Sequence, residues 1–260
     1  MTVFWHEMKR GRRALIIWTA AIAAMLAISV FVYPQMREQM EGMNEMFADI
    51  GAFTAAFGMD KLNFGEFKGY FAVECGNVLG LGGAMFASVL GIAMLSKEQK
   101  DNTADFLLTH PIKRSRIVLE KLLSVYAQIL VLNIAVAVFA ALSILAIGEK
   151  LEIKLFLLLF AAYTLMQLEL ASICFGISAF LSSSGFGIGI GIALLAYFLN
   201  ILSNITEDAE FLKFITPFAY ADGAEIVTNA KIMLKYLASG MLIAAAGVIA
   251  AFLKYPKKDL

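Results

Sequence analysis

The stretch LFLLLFAAYTLMQLELASICFGISAFLSSSGFGIGIGIALLAYFLNIL, Leu155 to Leu202, decides the fold, because Glu169 is the single charged residue in it. A helix that crosses a bilayer uses about 20 apolar residues, so this stretch is about twice as long as one crossing needs. The run Ser182 to Gly185 is the turn-forming sequence inside it. We therefore predict two membrane-spanning helices joined by a tight hairpin.

The rest of the chain has the same apolar character. Of its residues, 60% are hydrophobic and 16% are charged, whereas soluble proteins are about half apolar and about a quarter charged. This composition excludes a water-soluble fold and predicts an all-α membrane protein with six transmembrane helices in a single transmembrane domain, residues 1–260. The predicted spans are residues 14–33, 75–95, 122–147, 155–181, 185–203 and 236–253.

The positions of the basic residues predict the orientation of these spans. Positively charged flanks of membrane helices stay in the cytoplasm. Most Lys and Arg residues fall on one side of the predicted topology, and most acidic residues fall on the other. The basic residues on the first side are Lys9, Arg10, Arg12, Arg13, Lys97, Lys100, Lys113, Arg114, Arg116, Lys121, Lys254, Lys257 and Lys258. We therefore expect the N-terminus and the C-terminus to be cytoplasmic.

Two predicted outer segments, residues 34–74 and 204–235, are long enough to have structure of their own. The first has Met36, Met40, Met43 and Phe47 at helical spacing. Methionines can bind soft metals, but this segment has no Cys or His, which favours an amphipathic helix on the membrane surface and predicts no metal site. The second is an interrupted apolar piece, which we expect to be buried in the protein or to line a cavity.

The most charged stretch of the chain is KEQKDNTADFLLTHPIKRSRIVLEKLL, Lys97 to Leu123, between the second and third spans. Its pattern predicts a short amphipathic helix at about residues 97–109, which ends before Pro111. A solvated cytoplasmic loop would account for its basic residues, but not for the apolar run Phe106 to Leu108. This segment therefore has more sequence than a simple connection requires.

The residues that define this pattern are Glu98, Thr103, Leu107, Leu108, Pro111, Arg114, Ile117 and Lys121. The pattern resembles the cytoplasmic coupling helix of ABC-2 type permeases, although Asn102 stands where these permeases usually have glycine. A second stretch, FITPFAYADGAEI from Phe214 to Ile226, is similar to the Ser/Thr-Pro-Phe segment that they carry before their last span. Span count and orientation extend the resemblance to the whole chain.

The resemblance implies an ABC-2 (type V exporter-like) permease fold and a permease subunit of an ATP-binding cassette exporter in a bacterial cell membrane. Such permeases work as dimers with two separate ATPase subunits, so we expect a homodimer and two copies of an ABC ATP-binding protein. The chain has no GxxxxGK[ST] phosphate loop. The resemblance therefore implies a subunit that is not an enzyme and binds no cofactor, with ATP and Mg in the partner. Membrane lipids are expected partners, and nucleic acid is not.

The resemblance also assigns roles to particular residues. It implies that Phe106, Leu107 and Leu108 sit in a groove of the ATPase, with Glu98 and Arg114 as polar anchors, and that Thr103 and Pro111 complete the coupling segment. Pro217 and Phe218 belong to the outer gate segment that the second match defines.

Among the polar residues inside the predicted spans, the candidates are Gln128, Asn133, Gln167, Glu169 and Asn200. They either line a substrate path or hold helices together, and an intramembrane carboxylate such as Glu169 is a functional candidate by default. The alternative function is a proton-coupled secondary transporter that uses Glu169. A partner that senses a peptide and signals through an ATPase is a further possibility. The apolar and aromatic character of the spans leans toward an amphipathic or hydrophobic cargo.

An intramembrane enzyme is disfavoured, because His6 and His110 both fall outside the predicted spans and no His, Cys and carboxylate set has metal-ligand spacing. Small residues are concentrated in the second, fifth and sixth spans, where a spacing of four puts them on one helix face. They predict a face where two backbones approach closely, either within this chain or between two copies of it.

Overall fold

The computed structural model describes residues 2–40, 54, 62–63, 65–97, 113–183 and 185–257. Six helical segments in this described part are long and apolar enough to cross a membrane. The number of spans and the all-α fold class predicted from the sequence are confirmed. The chain is therefore a multi-pass membrane protein.

Helix α1 is Thr2–Met40. The second span consists of α2 (Phe67–Cys75), a π-helical stretch (Gly76–Leu81) and α3 (Gly82–Ala93). The next three spans are α4 (Arg114–Ala146), α5 (Ile153–Ser178) and α6 (Phe186–Ile205). A 3-10 helix (Glu207–Phe214) and the short helix α7 (Gly223–Asn229) precede the sixth span, α8 (Leu234–Lys254), which continues into a 3-10 turn (Tyr255–Lys257).

Helix α1 is longer than the predicted span, because it continues through Pro34 to Met40. A proline inside a helix removes one backbone hydrogen bond and usually kinks or ends it. Two tyrosine hydroxyls hydrogen-bond near this turn: Tyr33 donates to the Gly65 carbonyl, just before the second span, at 2.9 Å, and Tyr70 of the second span donates to the Ser29 carbonyl at 2.9 Å. Met36 packs against the same tyrosine pair. Met43 and Phe47 of the predicted surface helix lie outside the described residues.

Helix α5 is the centre of the bundle and packs mainly against α3 and α8. Both contacts depend on glycines. A Cβ at Gly176 would lie 2.5 Å from the Gly247 carbonyl oxygen, and a Cβ at Gly91 would overlap the Ala171 carbonyl. The small-residue faces of the second and sixth spans therefore pack within the chain, which is one of the two arrangements that the sequence left open.

The segment between α6 and α7 enters the bundle instead of lying on its surface. Residues 216–221 are all buried. The Thr216 hydroxyl donates to the Ala196 carbonyl of α6 at 2.7 Å, which fixes the start of this buried turn. Asp222 then caps α7 by accepting from the amides of Ala224 and Glu225 at 2.9 and 3.2 Å.

Candidate functional site

Two charged residues, Lys97 and Arg114, are described at the two ends of the predicted coupling segment, where charged side chains cluster. Lys97 follows the second span, and Arg114 begins α4. The structure places Arg114 against the C-terminal turn, where its Nη1 donates to the Pro256 carbonyl at 3.0 Å. The other predicted coupling residues lie outside the described residues: Glu98, Thr103, Phe106, Leu107, Leu108 and Pro111.

Glu7 of α1 is the centre of this charged cluster. Its side chain is only 3% exposed, and its carboxylate pairs with two ammonium groups: Oε1 lies 3.2 Å from Lys121 Nζ of α4, and Oε2 pairs with Lys97 Nζ. Lys121 is fully buried and also donates to the Met94 carbonyl at 2.8 Å. A buried charge is tolerated when it is paired and hydrogen-bonded. Glu7 therefore joins α1, the end of the second span and α4.

Glu120 makes a second connection between α1 and α4. Its Oε2 accepts from the amides of Val3 and Phe4 at 3.0 and 3.2 Å, at the beginning of α1. Helix N-termini have unpaired amides and a partial positive charge, so a carboxylate is favourable there. Arg116 donates to the other carboxylate oxygen at 3.1 Å.

Sequence reasoning did not single out Glu7, Glu120 or Lys121 as a cluster. An acidic residue within the basic N-terminal stretch was the available signal, but it does not identify a partner that lies more than a hundred positions away. Lys121 was part of the coupling-helix pattern without an assigned contact.

The structure joins two of the five intramembrane polar residues named from the sequence. Asn133 Nδ2 of α4 donates to Gln167 Oε1 of α5 at 2.6 Å, and Gln167 Nε2 donates to the Leu79 carbonyl at 3.3 Å. Leu79 belongs to the π-helical stretch of the second span. These bonds tie three spans together at a buried position, as polar side chains between membrane helices commonly do.

The other three polar residues lie at separate places. Gln128 is buried against Gly11 of α1 and donates to the Ser124 carbonyl of its own helix at 3.2 Å. Asn200 lies on α6, beside a cavity near the buried turn. Glu169 is two positions from Gln167 and therefore points to another side of α5.

Glu169 is 1% exposed and meets the buried turn and α8. The Tyr220 hydroxyl donates to Glu169 Oε2 at 2.8 Å. Burial, together with the neighbouring carboxylate, raises the pKa of the Tyr220 phenol above its ordinary value, so the phenol keeps the proton that it donates. A Cβ at Gly240 of α8 would overlap the same Glu169 carboxylate. Tyr220 lies within the stretch Phe214 to Ile226 that the sequence analysis singled out. The residue pattern of that stretch does not indicate that Tyr220 contacts Glu169.

The predicted outer gate residues Pro217 and Phe218 are both buried in this turn. The Phe218 ring packs edge-to-face on Tyr197 of α6, with ring centroids 5.4 Å apart. The segment predicted to form the outer gate is therefore connected to α6 through Phe218 and to α5 through Tyr220.

These polar groups are arranged to hold spans and segments together. In the described part of the chain, no three His, Cys, Asp or Glu side chains converge on a position for a metal ion. The chemistry available is ionic pairing at one end of the bundle and hydrogen bonding at its centre.

Compared with models of known protein families, the chain matches a model described as ABC-2 family transporter protein along residues 1–260. Compared with curated proteins, it has no match.

Proposed function

We propose, from the premise that this chain belongs to the ABC-2 family of transporter proteins, that it is the exporter permease subunit that couples a translocation path to a separate ATPase. As a family member it is a permease of an ABC transporter, and the family implies an ATP-binding partner in general. We also propose that it exports its substrate, that it forms a homodimer with two ATPase copies, that it is not itself catalytic, and that it lies in a bacterial plasma membrane. ATP and Mg would be bound by the partner.

The observation that supports the coupling role is the charged cluster around Glu7. The predicted coupling helix, at about residues 97–109, begins at Lys97 and is followed by α4, which contains Lys121, and both lysines pair with the Glu7 carboxylate. A displacement of the segment would therefore act on α1, the second span and α4 together. Buried ion pairs suit this task, because separating them leaves uncompensated charges in a low-dielectric site.

At the centre of the bundle, two further hydrogen-bonded contacts join spans to each other and to the predicted gate segment. Asn133 and Gln167 connect α4 to α5, and Glu169 connects α5 to the gate segment through Tyr220. We propose that this route transmits the state of the ATPase to the outer gate segment. Family membership favours ATP over the proton-coupled alternative as the energy source, and we assign Glu169 the role of holding Tyr220.

The experiment that tests the coupling role is truncation of Leu107 and Leu108 together to Ala. Apolar side chains on a cytoplasmic segment gain about 25 cal/mol per Å² when a partner covers them. The double substitution should weaken binding of the ATPase by roughly 2 to 4 kcal/mol if both residues are anchors of the contact. Co-purification of the chain with its ABC ATP-binding partner, and the substrate-stimulated ATP hydrolysis of that complex, would measure the effect.

The matched control is the double substitution of Leu142 and Leu145 to Ala. These leucines are exposed on α4 within the predicted third span, away from the coupling segment. The control should leave recovery of the ATPase unchanged. Equal recovery and equal ATP hydrolysis in the Leu107/Leu108 variant and the control would contradict the coupling role.

A further inference from the structure

A cavity of about 250 Å³ lies at the end of the bundle that is predicted to face outward. The ends of α1 and α4, the beginnings of the second span and α5, and the loop between α4 and α5 form its wall. Because spans end where hydrocarbon meets water, the cavity lies at the level of the lipid head groups. Its volume is slightly below the usual range of ligand sites, about 300–1,000 Å³, which suits a head group better than a larger molecule.

The inner part of the cavity is aromatic. Phe71 and Phe156 are buried, and the Phe71 ring stacks with both Phe67 and Phe156 at centroid distances of 5.6 and 6.0 Å. Tyr33 packs edge-to-face on Phe67 at 5.1 Å. Such rings provide apolar surface, and their faces attract ammonium groups. An occupant can therefore place an apolar part or an ammonium group against these rings.

The rim of the cavity carries charges of both signs. Its described charged residues are Arg37, Lys68, Lys150, Glu66, Glu149 and Glu152, so the cations and anions are equal in number. Arg37 Nη1 lies 3.6 Å from Glu149 Oε1, which is longer than a hydrogen bond, and both side chains are at least partly exposed. Lys150 is exposed and forms no ion pair with a described residue. Since exposed pairs contribute little to stability, Arg37 and Lys150 are available to an anionic group.

We infer that this cavity binds the head group of a zwitterionic phospholipid such as phosphatidylethanolamine. Arg37 and Lys150 would hold its phosphate, because guanidinium and ammonium groups form charge-assisted hydrogen bonds with phosphate oxygens. Glu152 and the ring of Phe67 would hold its ammonium group. The balanced charge of the described rim residues disfavours an occupant that carries one sign only. The lipid would connect the span ends, and through Val227 also α7, which follows the predicted gate segment. The inference does not depend on coupling to an ATPase.

The test is thermal unfolding of the purified full-length chain in a non-ionic detergent with added short-chain lipids. Phosphatidylethanolamine, phosphatidylglycerol and diacylglycerol with identical acyl chains separate a zwitterionic head group from an anionic one and from none. A ligand that binds the native state raises the melting temperature in a saturable way. We expect half-saturation with phosphatidylethanolamine at a concentration about tenfold lower than with the other two lipids, since charge-assisted contacts are the strong ones. Glycerophosphoethanolamine, which has the head group without acyl chains, should have a weaker effect.

The double variant Arg37→Gln with Lys150→Gln removes the two cations assigned to the phosphate. It should raise the half-saturating concentration of phosphatidylethanolamine about tenfold or more. Both side chains are exposed, so the fold without lipid should be retained. Glu152→Gln should weaken the binding of phosphatidylethanolamine but not that of phosphatidylglycerol, because it removes a partner of the ammonium group only. The control Lys154→Gln removes an exposed cation from the first turn of α5, outside the described cavity wall, and should keep the wild-type response.

Equal effects of the three lipids, including no effect of any of them, would overturn the inference, because the head group would then play no part. A stronger effect of phosphatidylglycerol would overturn it as well, since the site would then prefer an anionic head group. An undiminished response in the double variant would place the binding site elsewhere. An equally strong effect of glycerophosphoethanolamine would assign the cavity to a soluble molecule instead of a lipid. Since no ATPase is present, the outcome is separate from that of the coupling experiment.

Discussion

Glu7 is the residue through which three spans share one ionic contact. Its carboxylate is buried with Lys121 on one oxygen and Lys97 on the other. Water cannot stabilise a charge at such a position, so removal of one member leaves the others without compensation. The strength of the cluster can therefore be measured by changing its members singly and together.

We predict that Glu7→Gln lowers the free energy of unfolding by about 3 kcal/mol, because it leaves two lysines without their carboxylate in a buried site. Denaturant unfolding of the purified chain would measure the loss. Glu149→Gln is the matched control: Glu149 is partly exposed and lies 3.6 Å from Arg37. An exposed pair of this kind contributes about 1 kcal/mol or less.

The double variant Glu7→Gln with Lys121→Met separates the pair from its parts. Without the carboxylate, Lys121 is a buried charge that has lost its Glu7 partner, so its replacement by an apolar residue should recover part of the stability. A double variant whose loss equals the sum of the two single losses would show that Glu7 and Lys121 do not interact energetically.

At the scale of elements, the spans could be predicted from the sequence because bilayer thickness sets their length. The two helices around Ser182 to Gly185 followed from one long uncharged stretch. The ends of α1 could not be predicted in this way, because helical residues beyond the apolar core carry charges and Pro34. Contacts with Tyr70 of the second span and with Gly65, just before that span, stabilise that end of the helix.

The polar contacts of the candidate site depend on how each helix is rotated about its axis. The sequence identified Asn133, Gln167 and Glu169 as candidates, because polar groups inside a span are costly. It could not pair Asn133 with Gln167 or Glu169 with Tyr220, since these partners lie on different elements. Their pairing is set by packing of α5, which requires the complete bundle.

The packing of α5 against α8 gives a prediction about two glycines. A Cβ at Gly176 would lie 2.5 Å from a backbone carbonyl of α8, whereas a Cβ at Gly187 of α6 would meet nothing within 4 Å. Gly176→Ala should therefore separate the two helices and destabilise the chain by about 1–3 kcal/mol. Gly187→Ala should be neutral or slightly stabilising, because Ala is the better helix former.

Thermal unfolding of the two glycine variants, prepared in the same detergent, would compare them directly. Equal stability of Gly176→Ala and Gly187→Ala would contradict the close approach of α5 and α8. A large loss in Gly187→Ala alone would instead indicate that the open face of α6 is covered by another molecule.

At the scale of the whole molecule, the two chain ends described by the structure lie at the same end of the bundle. The beginning of α1 contacts Glu120, and the C-terminal turn contacts Arg114, so both ends meet at the start of α4. This arrangement agrees with an even number of spans. The structure places the two chain ends on the same side as each other. Which side of the membrane that is remains a prediction from the positions of the basic residues.

Single-cysteine variants test that orientation. Cys75 and Cys174 are both buried and unpaired, so they can be replaced by Ala to give a background without reactive thiols. Asp208 and Lys257 are exposed and belong to the segments predicted to lie outside and inside, respectively. Because positively charged flanks stay in the cytoplasm, a membrane-impermeant maleimide should label Asp208→Cys in intact cells. It should label Lys257→Cys only after the membrane is permeabilised.

Rapid labelling of Lys257→Cys in intact cells, with Asp208→Cys protected, would show that the orientation is the reverse of the predicted one. The charged cluster around Glu7 would then face away from any cytoplasmic ATPase.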